Sequence, residues 1–181
     1  VWDSDPAWEY EETLLKSQFA FALLPDLRLW ETLLLREAGQ YAFLEEHLGR
    51  MAGSAEYWDS PFDRRAARER LQAFAASAGS GEKVVRMELD QDGVLHLSSR
   101  PLPQPPPEPV RVMLSAQRTN SRDRFLFHKT SQRPLYDRER EQALDQGFFE
   151  VIFCNERGNL TEGAITNLFL RIGSELSLIH I

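Results

Sequence analysis

Residues 155–169 read NERGNLTEGAITNLF. Asn155, Gly158 and Asn159 carry the turn chemistry that joins two strands, and Ile165, Leu168 and Phe169 suit the second of them. Glu162 then stands where that strand should be filling a core, with small Gly163 and Ala164 directly after it. A carboxylate there is either on an exposed edge or held inward for a purpose. Judged by its immediate neighbours alone, the edge is the better reading.

Upstream of this hairpin the pattern alternates between helix and strand. FFEVIFC opens the hairpin and ITNLFLRI closes it; Cys154, inside the apolar run, reads as a small buried hydrophobe rather than a nucleophile. PLYDREREQALDQG predicts a short helix, QRTNSRDRF a polar loop and VRVMLS a short strand. RPLPQPPPEP is too rich in proline for a helix or a central strand, and reads as a stiff connector with a domain boundary near residue 109. Before it, EKVVRMELDQDGVLHLSS predicts a hairpin around Asp92-Gly93. PFDRRAARERLQAFAASAG predicts a helix that starts near Asp63, turns Leu71 and Phe74 inward and stops at Gly79. LEEHLGRMAGSAEYW places Leu44, Leu48, Met51 and Ala55 on one helical face, and LRLWETLLL reads as a strand pairing across REAGQ with YAFL. The expected class is α/β: an α+β unit first, then the start of a second α/β unit.

Composition narrows the function classes. The 181 residues carry a formal net charge of −7, with a pI near 5.2, which argues against general affinity for nucleic acid. The basic cluster DRRAARER is interleaved with acids at helical spacing and reads as a solvated face. QRTNSRDR is either a plain surface loop or one that meets an anionic substrate. No apolar run approaches a membrane span and no signal segment opens the chain. The single cysteine excludes an internal disulfide and fits a reducing, cytoplasmic setting. No metal site is expected.

Three stretches are unusual in polar content. In HLGRM, Arg50 follows His47 by three residues on one helix; FLFHKTSQR delivers Lys129 after Phe125, Leu126 and Phe127; and Glu162 interrupts its strand. Each has a plain reading: an exposed helix pair, a strand's exit to solvent, a strand edge. If Lys129 is partly buried, its ammonium form is disfavoured and it becomes a usable amine nucleophile. Together the three supply an amine for a Schiff base, a carboxylate to keep a pyridine nitrogen protonated and an arginine for a phosphate. Those are the requirements of pyridoxal 5′-phosphate, and Gly163-Ala164 would let the backbone come close to it.

HKTSQRPLYD, followed 33 residues after Lys129 (162 − 129) by the Glu of LTEGAITNLF, resembles the fold-type IV pyridoxal-phosphate enzymes. That class includes branched-chain and D-amino acid aminotransferases and 4-amino-4-deoxychorismate lyase. WETLLL and HLGRM match its N-terminal pattern, and the likeness covers roughly residues 19–173. It implies a D-amino acid aminotransferase-like fold, present here in part. By the same likeness Lys129 is the Schiff-base lysine, Glu162 the partner of the pyridine nitrogen and Arg50 a phosphate ligand. Ile165 and Thr166 match positions offering donors to that phosphate, and Thr32 a position near the substrate. Arg133 is placed to meet a substrate carboxylate. Branched-chain enzymes carry a tyrosine five residues after the lysine, whereas this chain has Pro134, a departure that favours the lyase.

The opening VWDSDPAWEYEETLLK resembles the C-terminus of the chorismate-utilising component I of aminodeoxychorismate synthase. The two likenesses together imply a bifunctional folate-pathway protein, whose lyase half converts 4-amino-4-deoxychorismate to 4-aminobenzoate and pyruvate. A glutamine amidotransferase would be the synthase half's partner, and the enzyme would be a homodimer. An aminotransferase on the same scaffold and a non-catalytic domain stabilising the synthase half are the alternatives. The expected organisation is synthase tail at 1–17, N-terminal α+β domain at 18–109 and partial C-terminal domain at 110–175. Residues 176–181, LSLIHI, spell a reading frame of a sequencing adapter and are expected not to be native.

Overall fold

The computed structural model describes residues 27–179; the opening stretch VWDSDPAWEYEETLLK, read as a synthase tail, lies outside the described residues. The chain divides into two compact units, Val1–Pro101 and Leu102–Ile181. The division falls at the head of the proline run, eight residues before the boundary expected near residue 109 (109 − 101).

In the first unit, β1 (Leu29–Leu35), β2 (Lys83–Leu89) and β3 (Leu95–Pro101) form an antiparallel sheet in that order. Two-residue periodicity turns Leu29, Leu33 and Leu35, with Val85, Met87, Leu89 and Leu95, into the core. Each such side chain contributes about 1.5–3 kcal/mol on burial. Helix α1 (Leu44–Tyr57) packs on β1 with Leu48, Met51 and Ala55 buried; α2 (Arg64–Ser77) packs on α1 and β3 with Ala67 and Leu71 buried. Asp63 caps α2, its Oδ1 accepting from the amides of Arg65 (2.8 Å) and Ala66 (3.0 Å).

β1 does not pair with YAFL. Only one bridge, Leu35 to Tyr41, survives across the Arg36–Gln40 turn, and seven residues of β1 pair with β2 instead. The alternating Val, Met and Leu of β2 offer the leucine face of β1 a matching apolar face. YAFL is used to enter α1, which starts after Phe43.

In the second unit, β4 (Val112–Thr119) runs parallel to β5 (Glu150–Asn155), and β6 (Leu160–Gly163) pairs antiparallel with β5 on its other side. The crossover from β4 to β5 carries a short 3-10 turn (Arg124–Phe127) and helix α3 (Pro134–Asp145), as a parallel pair requires. The core gathers Tyr136, Ala143, Val151, Phe153 and Ala164. Cys154 is buried, as its apolar run predicts. β7 (Phe169–Ile172) and β8 (Glu175–Leu178) form a separate two-stranded ribbon, so Leu176–Leu178 are strand residues.

Two expectations fail here. The partner of β5 is LTEG, not ITNLFLRI. The strand stops at Gly163 because the buried Glu150 carboxylate takes the Ile165 amide (Oε2, 3.1 Å) out of the ladder, and the Gly163 amide turns to the Thr166 carbonyl (3.0 Å). This tight return needs glycine: a Cβ on Gly163 would lie 2.3 Å from Thr166 Oγ1. Second, FLF is one turn of 3-10 helix rather than a strand. Asp123 caps it by accepting from the Phe125 amide (3.0 Å), and Phe127 points to solvent.

The Asp92-Gly93 turn is tied to the connection between α1 and α2 by contact as well as by conformation. Gly93 has φ +80°, and a Cβ there would lie 2.7 Å from the Pro61 carbonyl oxygen. Gly93→Ala is therefore expected to destabilise the fold by roughly 2 kcal/mol or more, about 1–2 of it from the left-handed backbone. The midpoint of urea unfolding should fall accordingly, and an unchanged midpoint would contradict this packing.

Candidate active site

The second unit carries five of the expected residues, Lys129, Arg133, Glu162, Ile165 and Thr166. Glu162 lies on β6 and is half-buried. Its Oε1 accepts a hydrogen bond from the Tyr136 hydroxyl of α3 at 2.9 Å. Burial pushes the Glu162 carboxyl above its usual range, while the Tyr136 hydroxyl, the Arg133 guanidinium and the Lys129 ammonium pull against that rise. Lys129 is thus within electrostatic reach of Glu162. It sits in the segment between the 3-10 turn and α3 and is exposed, so the aromatic wall expected around it does not form.

Arg133, at the N-cap of α3, is used by the protein itself. Its Nη2 donates to the Ala164 carbonyl and its Nε to Asp137 Oδ1 at 3.1 Å. It joins the start of α3 to the chain leaving β6. Ile165 is exposed, but its amide is held by Glu150; Thr166 is half-buried beside Gly163.

Tyr136 and Glu150 were not singled out by sequence. Tyr136 lies three residues after Arg133 in an ordinary helical start, and Glu150 reads as a stray acid in an apolar strand. Tyr136 is buried with its ring 4.5 Å from that of Phe153. Burial and the Glu162 carboxylate push its phenol well above the usual range, so it remains a donor.

The first unit holds Arg50 and Thr32 on different features. Arg50 on α1 is fixed side-on by Glu31 of β1: its Nε donates to Oε1 at 2.6 Å and its Nη2 to Oε2 at 2.5 Å. His47 Nδ1 lies 2.8 Å from the same Oε2. The sequence paired His47 with Arg50 but missed Glu31, which is 1% exposed among leucines. Burial would raise the Glu31 carboxyl, but the hydrogen bonds and charges of Arg50 and His47 outweigh it and hold it below the ordinary range. Arg50 itself is half-exposed, so the rest of its guanidinium can take another anion. Thr32 lies on the opposite face of the sheet from Glu31, in a recess of about 280 Å³ lined also by Val84, Arg86, Ser98, Ser99 and Arg100. Among the described residues, no group of His, Cys, Asp and Glu could hold a metal, and no helix is long and apolar enough to cross a membrane.

Residues 28–178 match the amino-transferase class IV family, and the chain belongs to it. Its fold is that of solved class IV aminotransferases, mixed α/β and present here in part. A candidate amino-acid aminotransferase from Mesorhizobium loti is 31% identical, with 82% of this chain and 72% of that one covered, at a TM-score of 0.73. A candidate 4-amino-4-deoxychorismate lyase is 25% identical, with 87% and 66% covered, at a TM-score of 0.71. A candidate branched-chain amino acid aminotransferase from Thermotoga maritima shares the fold at 24% identity and a TM-score of 0.73, with 88% of this chain and 58% of that one covered. The chain therefore spans between 58% and 72% of these proteins' lengths. No curated protein matches it.

Removing Arg50 should expose how much of the first unit depends on its charge. Arg50→Met leaves a buried carboxylate with His47 alone and is expected to cost about 2–3 kcal/mol, below the figure for a fully buried pair because Arg50 is half-exposed. The Glu31 carboxyl is depressed in the folded state, so its stabilisation is present above the unfolded value near 4.3 and is lost as pH falls through the folded one. The gap in melting temperature between wild type and Arg50→Met should accordingly narrow as pH is lowered below about 4.3. A gap that widens would contradict the ion pair.

Proposed function

We propose that this chain carries part of a pyridoxal-phosphate-dependent 4-amino-4-deoxychorismate lyase. The observation that carries the reading is the half-buried Glu162 carboxylate, held by Tyr136 on one oxygen with Lys129 in electrostatic reach. Taken unit by unit, the residues fit the cofactor's parts. Tyr136 engages one carboxylate oxygen, so the other can meet a pyridine nitrogen, and Arg50 is preset by Glu31 with donors to spare for a phosphate. Thr166 is proposed to add a donor to a phosphate; the Ile165 amide, held by Glu150, would have to leave that carboxylate to do the same.

When bound, pyridoxal phosphate supplies an electron sink for the pair left by a departing proton. Lys129 Nζ takes that proton from the substrate carbon bearing the amino group, and delivers a proton to the methylene of the departing enolpyruvyl group. The carbon–hydrogen bond and the ether carbon–oxygen bond break, the ring becomes aromatic, and 4-aminobenzoate and pyruvate leave. Atoms balance without water or an oxidant. Glu162, ionised, keeps the pyridine nitrogen protonated.

Thr32 is proposed to lie near the substrate through its recess. Arg133 could meet a substrate carboxylate only with the part of its guanidinium that Asp137 and Ala164 leave over. Pro134 opens α3 at the position where branched-chain enzymes carry tyrosine, which supports the lyase over those enzymes. Fusion to a synthase, a glutamine amidotransferase partner, a homodimer and a cytoplasmic location belong to the same proposal. A second reading, an amino-acid aminotransferase, has in its favour the 31% identity to the Mesorhizobium loti protein.

Supplied with the cofactor and 4-amino-4-deoxychorismate, the full-length protein that contains this chain is expected to release pyruvate with no amino acceptor present. Lys129→Ala should reduce that release by roughly 10³-fold. Turnover that requires a keto acid would establish the aminotransferase instead.

A further inference from the structure

Glu162 stands on a strand of four residues, and its side chain is fixed from the neighbouring helix. The helix residue that fixes it, Tyr136, has little freedom of its own. It is 7% exposed, its ring is tilted 47° against Phe153 of β5 at 4.5 Å, and the Arg133 guanidinium lies 5.2 Å from its ring centre. With the ring fixed on β5, the hydroxyl reaches across to β6 and donates to Glu162 Oε1 at 2.9 Å.

We infer that Tyr136 is the positioning residue of Glu162: its hydroxyl immobilises Oε1 and presents Oε2 as the oxygen offered to a pyridine nitrogen. This rests on the reading of Glu162 given above. The chemistry favours a phenol in that place. A bidentate guanidinium would occupy both oxygens and draw off the charge that keeps the ring nitrogen protonated. The nearby guanidinium, Arg133, instead directs Nη2 to Ala164 and Nε to Asp137. A neutral hydroxyl offsets part of the cost of burial while leaving the carboxylate its charge. The groups whose charge or hydrogen bonding acts on Glu162 are Tyr136, Arg133 and Lys129; the Glu150 carboxylate lies under the adjoining Gly163, and Asp123 acts on Tyr136.

Tyr136→Phe deletes the hydroxyl and keeps the ring on Phe153, so the fold should be retained and near-unchanged melting would show it. Two spectra then separate the inference from the reading beneath it. In the cofactor-free protein, carbon-13 titration of the Glu162 carboxyl should move upward by roughly one pH unit in Tyr136→Phe, the size expected for one lost hydrogen bond to a charged group. In the loaded protein, the nitrogen-15 signal of labelled cofactor should show the ring nitrogen losing its proton at lower pH in Tyr136→Phe, and unprotonated throughout in Glu162→Gln. An unmoved Glu162 titration in Tyr136→Phe would overturn the positioning role while Glu162→Gln still reported on the ring. A ring nitrogen insensitive to Glu162→Gln would overturn the reading of Glu162 and the inference with it.

Discussion

A carboxylate that leaves water must be given donors or it takes up a proton, and Glu162 meets that condition on a strand of only four residues. The arrangement of the second unit around it follows. Helix α3 begins at Pro134, which brings Arg133 to its N-cap and Tyr136 to its first turn, against Phe153 of β5. Arg133 fastens the chain that leaves β6 through the Ala164 carbonyl, and Glu150 fastens it from below through the Ile165 amide. Glu162 is thus placed by three side chains from two other elements, and little of its position comes from its own strand.

The first unit solves the same problem with charge instead of a phenol. Glu31 is enclosed among the leucines of β1, and Arg50 and His47 from α1 supply three contacts to its two oxygens. Such a pair contributes little net stability when intact, since bringing the ions out of water offsets most of their attraction, yet breaking it is costly. What the pair does provide is a fixed guanidinium with a solvent-facing remainder. The two carboxylates are held differently: Glu31 by a guanidinium on both oxygens with an imidazole beside it, Glu162 by a neutral hydroxyl on one oxygen.

The parts legible in the sequence are those set by neighbours along the chain. The Asp92-Gly93 turn, the helix start near Asp63 and the Leu48, Met51 and Ala55 face each depend on a few adjacent residues, and the structure carries all three. β1's partner was misread because the competing strand lies nearly fifty residues away and wins by matching apolar faces across the sheet. The hairpin closes on LTEG rather than on ITNLFLRI because its second strand is ended by a carboxylate from the preceding strand, which no pattern within NERGNLTEGAITNLF contains. Tyr136, Glu31 and Glu150 stayed hidden for the same reason: a polar residue's burial is a tertiary fact. Lys129 and Glu162 are legible as candidates through their residue types taken together and through the family resemblance, and the structure brings their charges within reach of each other.

The central claim is that Lys129 is the amine that engages the cofactor, with Glu162 as its counterpart on β6. The chain has three lysines, Lys16, Lys83 and Lys129, so the claim can be tested by covalent capture. The protein is incubated with pyridoxal phosphate, reduced with borohydride, digested and mapped by mass spectrometry. The account predicts a phosphopyridoxyl group on the peptide containing Lys129 at near-stoichiometric level. Label confined to Lys16 or Lys83, or no label at any lysine, would contradict it.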